Sequence, residues 1–260
     1  LGRVVRRGLR GEELWGLAAL RVLRGRSSRW ALLRGWLVLM HATLPATAAR
    51  HADGGVDLNR VFDLSFRDSL PEAEWCSEHH RALELAPLLD ELDGALDLHS
   101  ASAPTEPFAI AMRGGVDVAR GLGLEFVTHG WEDSSDIAEG VAVSRVARRG
   151  LPAMGVECGS HADPSGLATA LRVVDGFLVT LGLLPPETVE TTAEPKVLQI
   201  FASIPRPDPH WRFAQPLLGF AKLAEGDPIG PGVVAPKDCV ALLPNDLVDV
   251  GKPCLYLAHP

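Results

Sequence analysis

The 260-residue sequence has no apolar run approaching the ~20 residues that span a bilayer. The nearest, ALLRGWLVLM at 31–40, is interrupted by Arg34 and reads as a buried strand; no membrane partner is expected. An overall basic charge is also lacking: the formal net charge is −8, which argues against a nucleic-acid binder. The four cysteines, at 76, 158, 239 and 254, form no CxxC pair, so free thiols in a reduced, cytoplasmic setting are the simplest expectation. No secretory signal is read, because the Arg-rich start has neither an apolar h-region nor a cleavage site. Met is missing at position 1, and the strand-like opening LGRVV is read as the interior of a longer chain. There is no internal repeat and no low-complexity tract, and Tyr256 is the only tyrosine.

Hydrophobic residues make up 47% and charged residues 22%, an ordinary globular balance. The length allows one large core, or a core with a small second domain. Charge is uneven: residues 1–34 carry nine arginines against Glu12 and Glu13, read mainly as a solvated helix face.

The first two-thirds alternate helix-like and strand-like segments. EELWGLAALRVL (12–23) has apolar positions at helical spacing, and GWLVLM (35–40) is a short apolar strand. PEAEWCSEHHRALEL (71–85) opens with proline and acids, as helices do. On that charged helix His79 and His80 are expected to be solvated. GALDL (94–98), FAIAM (108–112), LEFVT (124–128) and AMGVE (153–157) read as strands. Residues 136–150 read as a helix closed by Gly150, and 163–184 as a helix opened by Asp163 with Pro164 at its first position. This alternation predicts an α/β layer fold with a mixed, largely parallel sheet. After Pro185 and Pro186 the runs shorten and turn signals multiply, which predicts a catalytic domain over 1–190 and a small all-β domain over 191–260.

Ligands of open α/β sheets gather at the carboxyl ends of strands. Two predicted strands end in chemically useful residues: LDLHS delivers His99, and GVECG delivers Glu157, a carboxylate at a buried strand end that needs a partner or a task. VDLNRVF sets Asn59 beside Arg60, and GLRGEELWG places Glu13 near the start of the first helix.

In this order, GLRGEELWG, VDLNRVF, LDLHS and GVECG resemble the succinylglutamate desuccinylase/aspartoacylase family, relatives of the zinc carboxypeptidases. The resemblance runs from about residue 4 to the C-terminus. It implies a zinc-carboxypeptidase-like three-layer fold and a zinc-dependent hydrolase of an amide bond in an N-acyl amino acid or similar small carboxylate. It further implies one Zn2+ per chain, held by Glu13 and His99, with one coordination position left for water. Glu157 then matches the general base. Asn59 and Arg60 match the pair that grips a substrate carboxylate, and Arg50 matches an arginine that stabilises the developing oxyanion. Asp97 is read either as a group supporting His99 or as a structural residue of the strand end. The expected partner is a small carboxylate, and homo-oligomerisation is left open.

One position departs from the pattern. The family's first ligand, a histidine three residues before Glu13, is Arg10 here, and a guanidinium has no lone pair for a metal. Three readings stay open: a degenerate, metal-free site whose protein binds without hydrolysing; replacement by another histidine, with His51, His129 and His161 as candidates; or a substitution in an otherwise active lineage. His161 is also read as a loop residue or as a contact at the mouth of the site, and Tyr256 as a packing residue.

Overall fold

The computed structural model describes residues 55–134, 140–189 and 193–260. The predicted helix at 12–23 and strand at 35–40 lie outside them, as do Arg10, Glu13, Arg50 and His51.

The four predicted strands that fall within the described residues all form: β1 (Ala95–Ala101), β2 (Phe108–Ala111), β3 (Phe126–His129) and β4 (Ala153–Ser160). The C-terminal segment adds β5 (Lys196–Pro205), β6 (Lys222–Leu223), β7 (Pro228–Gly230), β8 (Val233–Val234), β9 (Cys239–Leu242) and β10 (Pro253–His259). Eight of these make one sheet in the order β1-β4-β2-β3-β5-β10-β9-β6, and β7 and β8 pair separately. Of the four ladders joining the first five strands, β1–β4, β2–β3 and β3–β5 are parallel and β2–β4 is antiparallel. The sheet is therefore mixed and largely parallel in this half, as expected. The segment after 193 is β-rich, also as expected, and through β5, β10, β9 and β6 it is hydrogen-bonded into the large sheet.

Side-chain alternation, with a period of two, sends successive residues to opposite faces. On one face Ala95, Phe108, Met112, Ala153, Leu198 and Ile200 pack under α2 (Ser77–Asp90) and α5 (Ala142–Ala147), after the short α1 (Phe66–Ser69). On the other face Ala109, Val127, Met154, Val156 and Cys158 pack under α3 (Val116–Arg120) and α6 (Gly166–Thr180). A one-turn helix, α4 (Trp131–Ser134), follows β3 and lays Trp131 against Tyr256, ring centroids 4.8 Å apart. Tyr256 is buried in that core, so the packing role expected of it holds. A third cluster, with Trp211, Leu223, Ile229, Leu255 and Leu257, fills the C-terminal β region.

Helix boundaries differ from expectation for local reasons. In the 163–184 segment the helix begins at Gly166, because Asp163 accepts from the Ser165 N–H (2.8 Å) and spends the preceding residues in a turn. In the 71–85 segment Pro71 opens only a 3₁₀ turn, and the α-helix starts at Ser77 behind a Cys76 cap. His79 is the third residue of that helix, and its Nδ1 accepts from the Cys76 N–H at 3.1 Å. It is buried against Phe66, which corrects its expected solvation; His80 is exposed as expected. Burial lowers the His79 pKa against the opposing pull of Glu78, with His80 adding to the fall.

Two arginines fasten the helices of this layer. Arg145 binds Asp90 bidentately, Nε to Oδ1 at 2.6 Å and Nη2 to Oδ2 at 2.7 Å. Arg149 donates to the carbonyls of Leu89, Asp90 and Leu92, the open end of α2, where a cation also meets the helix dipole favourably. The Arg145 hydrogen bond holds Asp90 below its ordinary value of 3.8, aided by the Arg145 and Arg149 charges and opposed by slight burial.

A carboxyl depressed in the folded state contributes stability above its unfolded pKa and loses it as pH falls through the folded one. Asp90→Asn is therefore expected to cost at most about 1 kcal/mol near neutrality, because the pair is solvent-screened. The cost should vanish below the native Asp90 pKa, as read by urea unfolding of both proteins across the acid range.

Candidate active site

The 57–60 segment forms a tight 3₁₀ turn, Leu58–Arg60, because Asp57 caps it: its Oδ1 accepts the Asn59 N–H at 3.0 Å. Leu58 anchors the turn in the core. The turn presents Asn59 and Arg60 to the carboxyl end of β1. Phe62 N–H donates to the Gly140 carbonyl (2.9 Å), and a Cβ on Gly140 would stand 2.2 Å from the Arg60 carbonyl oxygen, so only glycine allows this close approach.

Strands β1 and β4 run parallel with His99 the register partner of Glu157 and Asp97 that of Gly155. All four alternate onto the face that carries Ala95 and Ala153. Strand β4 is buried at every position but Glu157 and Ser160. The ladder shifts register between His99 and Ala101, just past the two chemical residues, and resumes with Ala101 opposite Ser160. Gly159 follows Glu157 with φ +105°, where a Cβ would both strain the backbone and stand 3.0 Å from Asp163 Oδ2.

Around His99 the polar groups form a chain. His99 Nε2 lies 2.8 Å from Asp97 Oδ2, and Asn59 Nδ2 donates to that same oxygen at 3.1 Å. Asn59 Oδ1 accepts the Ala142 N–H at the start of α5, 2.8 Å away. Burial works to raise the Asp97 carboxyl. The His99 charge, the hydrogen bonds from His99 and Asn59, and the Arg60 charge outweigh it, and the carboxyl is held below its usual value. An ionised Asp97 can only accept, so it draws the imidazole proton to Nε2 and leaves the ring's lone pair on Nδ1. Arg60 is about one-third exposed; its Nη1 donates to the Asn59 carbonyl (2.6 Å) and lies 3.8 Å from Asp57 Oδ2.

The structure thus brings Asn59, Arg60, Asp97, His99 and Glu157 to one end of the β1–β4 pair. Of the two readings of Asp97, its bond to His99 favours the supporting one. Glu13 and Arg50 lie outside the described residues. His161 meets Ser100, Nδ1 to Oγ at 2.7 Å, and its N–H donates to the Ala101 carbonyl, tying the loop after β4 to the end of β1. His129 ends β3, with β2 between it and β4, and is in register with Gln199. Asp57 was not singled out in the sequence, although an aspartate two residues before Asn59 is the signature of an Asx turn.

A carboxylate on the far nitrogen of a histidine is the usual setting of a metal-ligating imidazole, fixing tautomer and ring orientation. The Asp97–His99 pair fits that role for zinc. Among the described residues no group of three or more His, Cys, Asp or Glu side chains is arranged to hold a metal, and Glu13 falls outside them. No described helix is long and apolar enough to cross a membrane.

No protein-family model matches the sequence, and no curated protein matches it. Solved structures do match. A succinylglutamate desuccinylase/aspartoacylase from Rhodobacter sphaeroides superposes with a TM-score of 0.71 at 17% identity, over 98% of this chain and 84% of that one. A succinylglutamate desuccinylase from Vibrio parahaemolyticus gives 0.70 at 18%, over 98% and 80%. The product-bound ectoine utilization protein EutE (DoeB) from Ruegeria pomeroyi gives 0.71 at 16%, over 100% and 86%. The fold is that of these proteins, as the motif resemblance implied.

Cys158 sits beside Glu157 but alternates to the opposite face, into the core. Burial pushes its thiol up to about 12, with the Glu157 charge adding to the rise. Burial likewise raises Cys254 to about 11 and Cys239 above its usual value. All four cysteines are free thiols, and Cys76 alone is partly exposed. Since the thiolate is the reactive form, a native thiol titration at mildly alkaline pH is expected to give one fast-reacting group per chain and four after denaturation. Loss of the fast phase in Cys76→Ser assigns it.

Proposed function

We propose that this protein is a zinc-dependent hydrolase of the amide bond in an N-acyl amino acid or a similar small carboxylate. The observation that carries the reading is the parallel register of His99 with Glu157, on the face and at the strand end where Asp97 fixes the imidazole and Arg60 supplies a cation.

His99, through Nδ1, and Glu13 are the residues that would hold the ion; when bound, zinc supplies Lewis acidity toward the amide carbonyl and acidifies a water. Glu157 takes a proton from the attacking water and returns it to the departing amine nitrogen, which leaves as a neutral group. Arg60 receives the substrate carboxylate on its planar fork, which sets the scissile carbonyl at a fixed distance from Glu157. Arg50 is assigned the developing oxyanion by the motif resemblance alone. Four free thiols agree with a reduced, cytoplasmic setting.

Arg10 favours a second reading, a non-catalytic relative that keeps the anion-binding end of the site and binds a carboxylate or a partner without hydrolysing it. Metal content separates the two. Purified protein with near-stoichiometric zinc and hydrolysis of one member of an N-acyl amino acid panel supports the enzyme. Absence of both, with zinc uptake and hydrolysis restored by Arg10→His, identifies a damaged catalyst.

In an active protein Glu157→Gln is expected to lower kcat by about 10²–10⁴-fold with zinc retained, as loss of a general base does. Arg60→Ala is expected to raise KM far more than it lowers kcat. Steady-state kinetics with metal analysis checks both, and full activity in Glu157→Gln removes Glu157 from the mechanism.

A further inference from the structure

We propose that an open cleft between α1 and α2 binds a free amino acid with an apolar side chain, its carboxylate on Arg67, its ammonium on Glu72 and its side chain on an apolar floor. No residue that lines this cleft belongs to the Asn59–Glu157 site. Binding here needs neither zinc nor hydrolysis, so the proposal goes beyond the hydrolase reading and stands or falls separately from it.

The cleft has a volume of about 440 Å³, within the ~300–1,000 Å³ of small-ligand sites. Leu64, Leu83 and Pro87 give it an apolar floor, and Trp75 lines it beside them. These parts are held in place before any ligand arrives. Trp75 packs edge-on against Phe66, centroids 5.1 Å apart, and its Nε1 donates to the Leu70 carbonyl at 3.2 Å. Leu64 is packed against the core at φ +64°, which a leucine rarely adopts, and its carbonyl accepts the Arg67 N–H at 3.1 Å. The apolar floor and the cation at its rim are thus joined through one short turn. Three charged residues line the cleft. Arg145 is committed, with Nε and Nη2 on Asp90 and Nη1 on the Phe62 carbonyl (3.2 Å). Arg67 and Glu72 are exposed, and among the described residues their side chains make no ion pair or hydrogen bond, with each other or with a neighbour. One uncommitted charge of each sign beside an apolar floor is the complement of an apolar amino acid. The guanidinium suits its carboxylate, and the carboxylate of Glu72 suits its ammonium. An anion without the ammonium would meet Glu72 as a like charge, and a cation without the carboxylate would meet Arg67 so.

The test is NMR of the Trp75 indole N–H in the full chain, the signal being assigned by its loss in Trp75→Phe, while L-leucine is titrated at neutral pH. Leucine is expected to shift it saturably with a Kd on the order of millimolar, as suits an open site with exposed charges. Leucinamide, which lacks the carboxylate, and 4-methylpentanoate, which lacks the ammonium, are each expected to bind at least about fivefold more weakly, the scale of one exposed charged contact. Arg67→Ala and Glu72→Gln are expected to weaken leucine by a similar factor; both alter exposed side chains without a described partner, so folding is retained. Arg60→Ala is expected to leave the titration unchanged, which separates this cleft from the proposed active site. A Trp75 signal that leucine does not shift up to its solubility overturns the proposal. So does an unaltered titration in Arg67→Ala and Glu72→Gln, or 4-methylpentanoate binding as tightly as leucine.

Discussion

The parallel ladder between β1 and β4 is the constraint on which the site depends. Parallel strands cannot slip by one residue without turning every side chain to the other face. Here a slip would send Leu96, Leu98, Met154 and Val156 out of one core and Asp97 and His99 into it. The apolar residues on both faces thus enforce the register that sets His99 beside Glu157. His99 and Glu157 are each half-buried in strands whose neighbouring positions, Ser100 and Ala101 in β1 and Val156 and Cys158 in β4, are buried.

From that register the rest follows in steps. Asp97 falls on the face of His99 because it is two residues away, and it turns a flexible imidazole into one with a defined proton. The 57–60 turn closes over the same strand end and adds Asn59 and Arg60 from a separate part of the chain. α5 is tied to this turn through Ala142 and to α2 through Arg145, so the helical layer and the polar chain share their anchors. On the far face Cys158 is sealed into the core, which leaves Glu157 as the residue of that motif able to move protons.

Much of this was legible in the sequence. The strands announce themselves as short apolar runs, and LDLHS and GVECG place His99 and Glu157 at strand ends without any structure. That the ends are adjacent was not legible, because strand order β1-β4-β2-β3 is a property of long-range pairing. Helix starts were misplaced where an aspartate made a turn instead of a cap, as at Asp163, or where proline opened a 3₁₀ turn, as at Pro71. The burial of His79 was hidden because its neighbours in sequence are polar, while Phe66, which covers it, lies one element away. The double engagement of Asn59 was invisible for the same reason: its partners are 38 and 83 residues distant.

The central claim is that His99 and Glu157 form one reaction centre around a zinc ion. Diffraction from crystals grown with zinc, recorded on both sides of the zinc absorption edge, tests it most directly. The account predicts an anomalous peak bonded to His99 Nδ1, with the Asp97–Nε2 contact intact and the Glu157 carboxylate facing the same space. Zinc-saturated crystals with no peak at His99, or with the metal on Nε2 and Asp97 turned away, would contradict it.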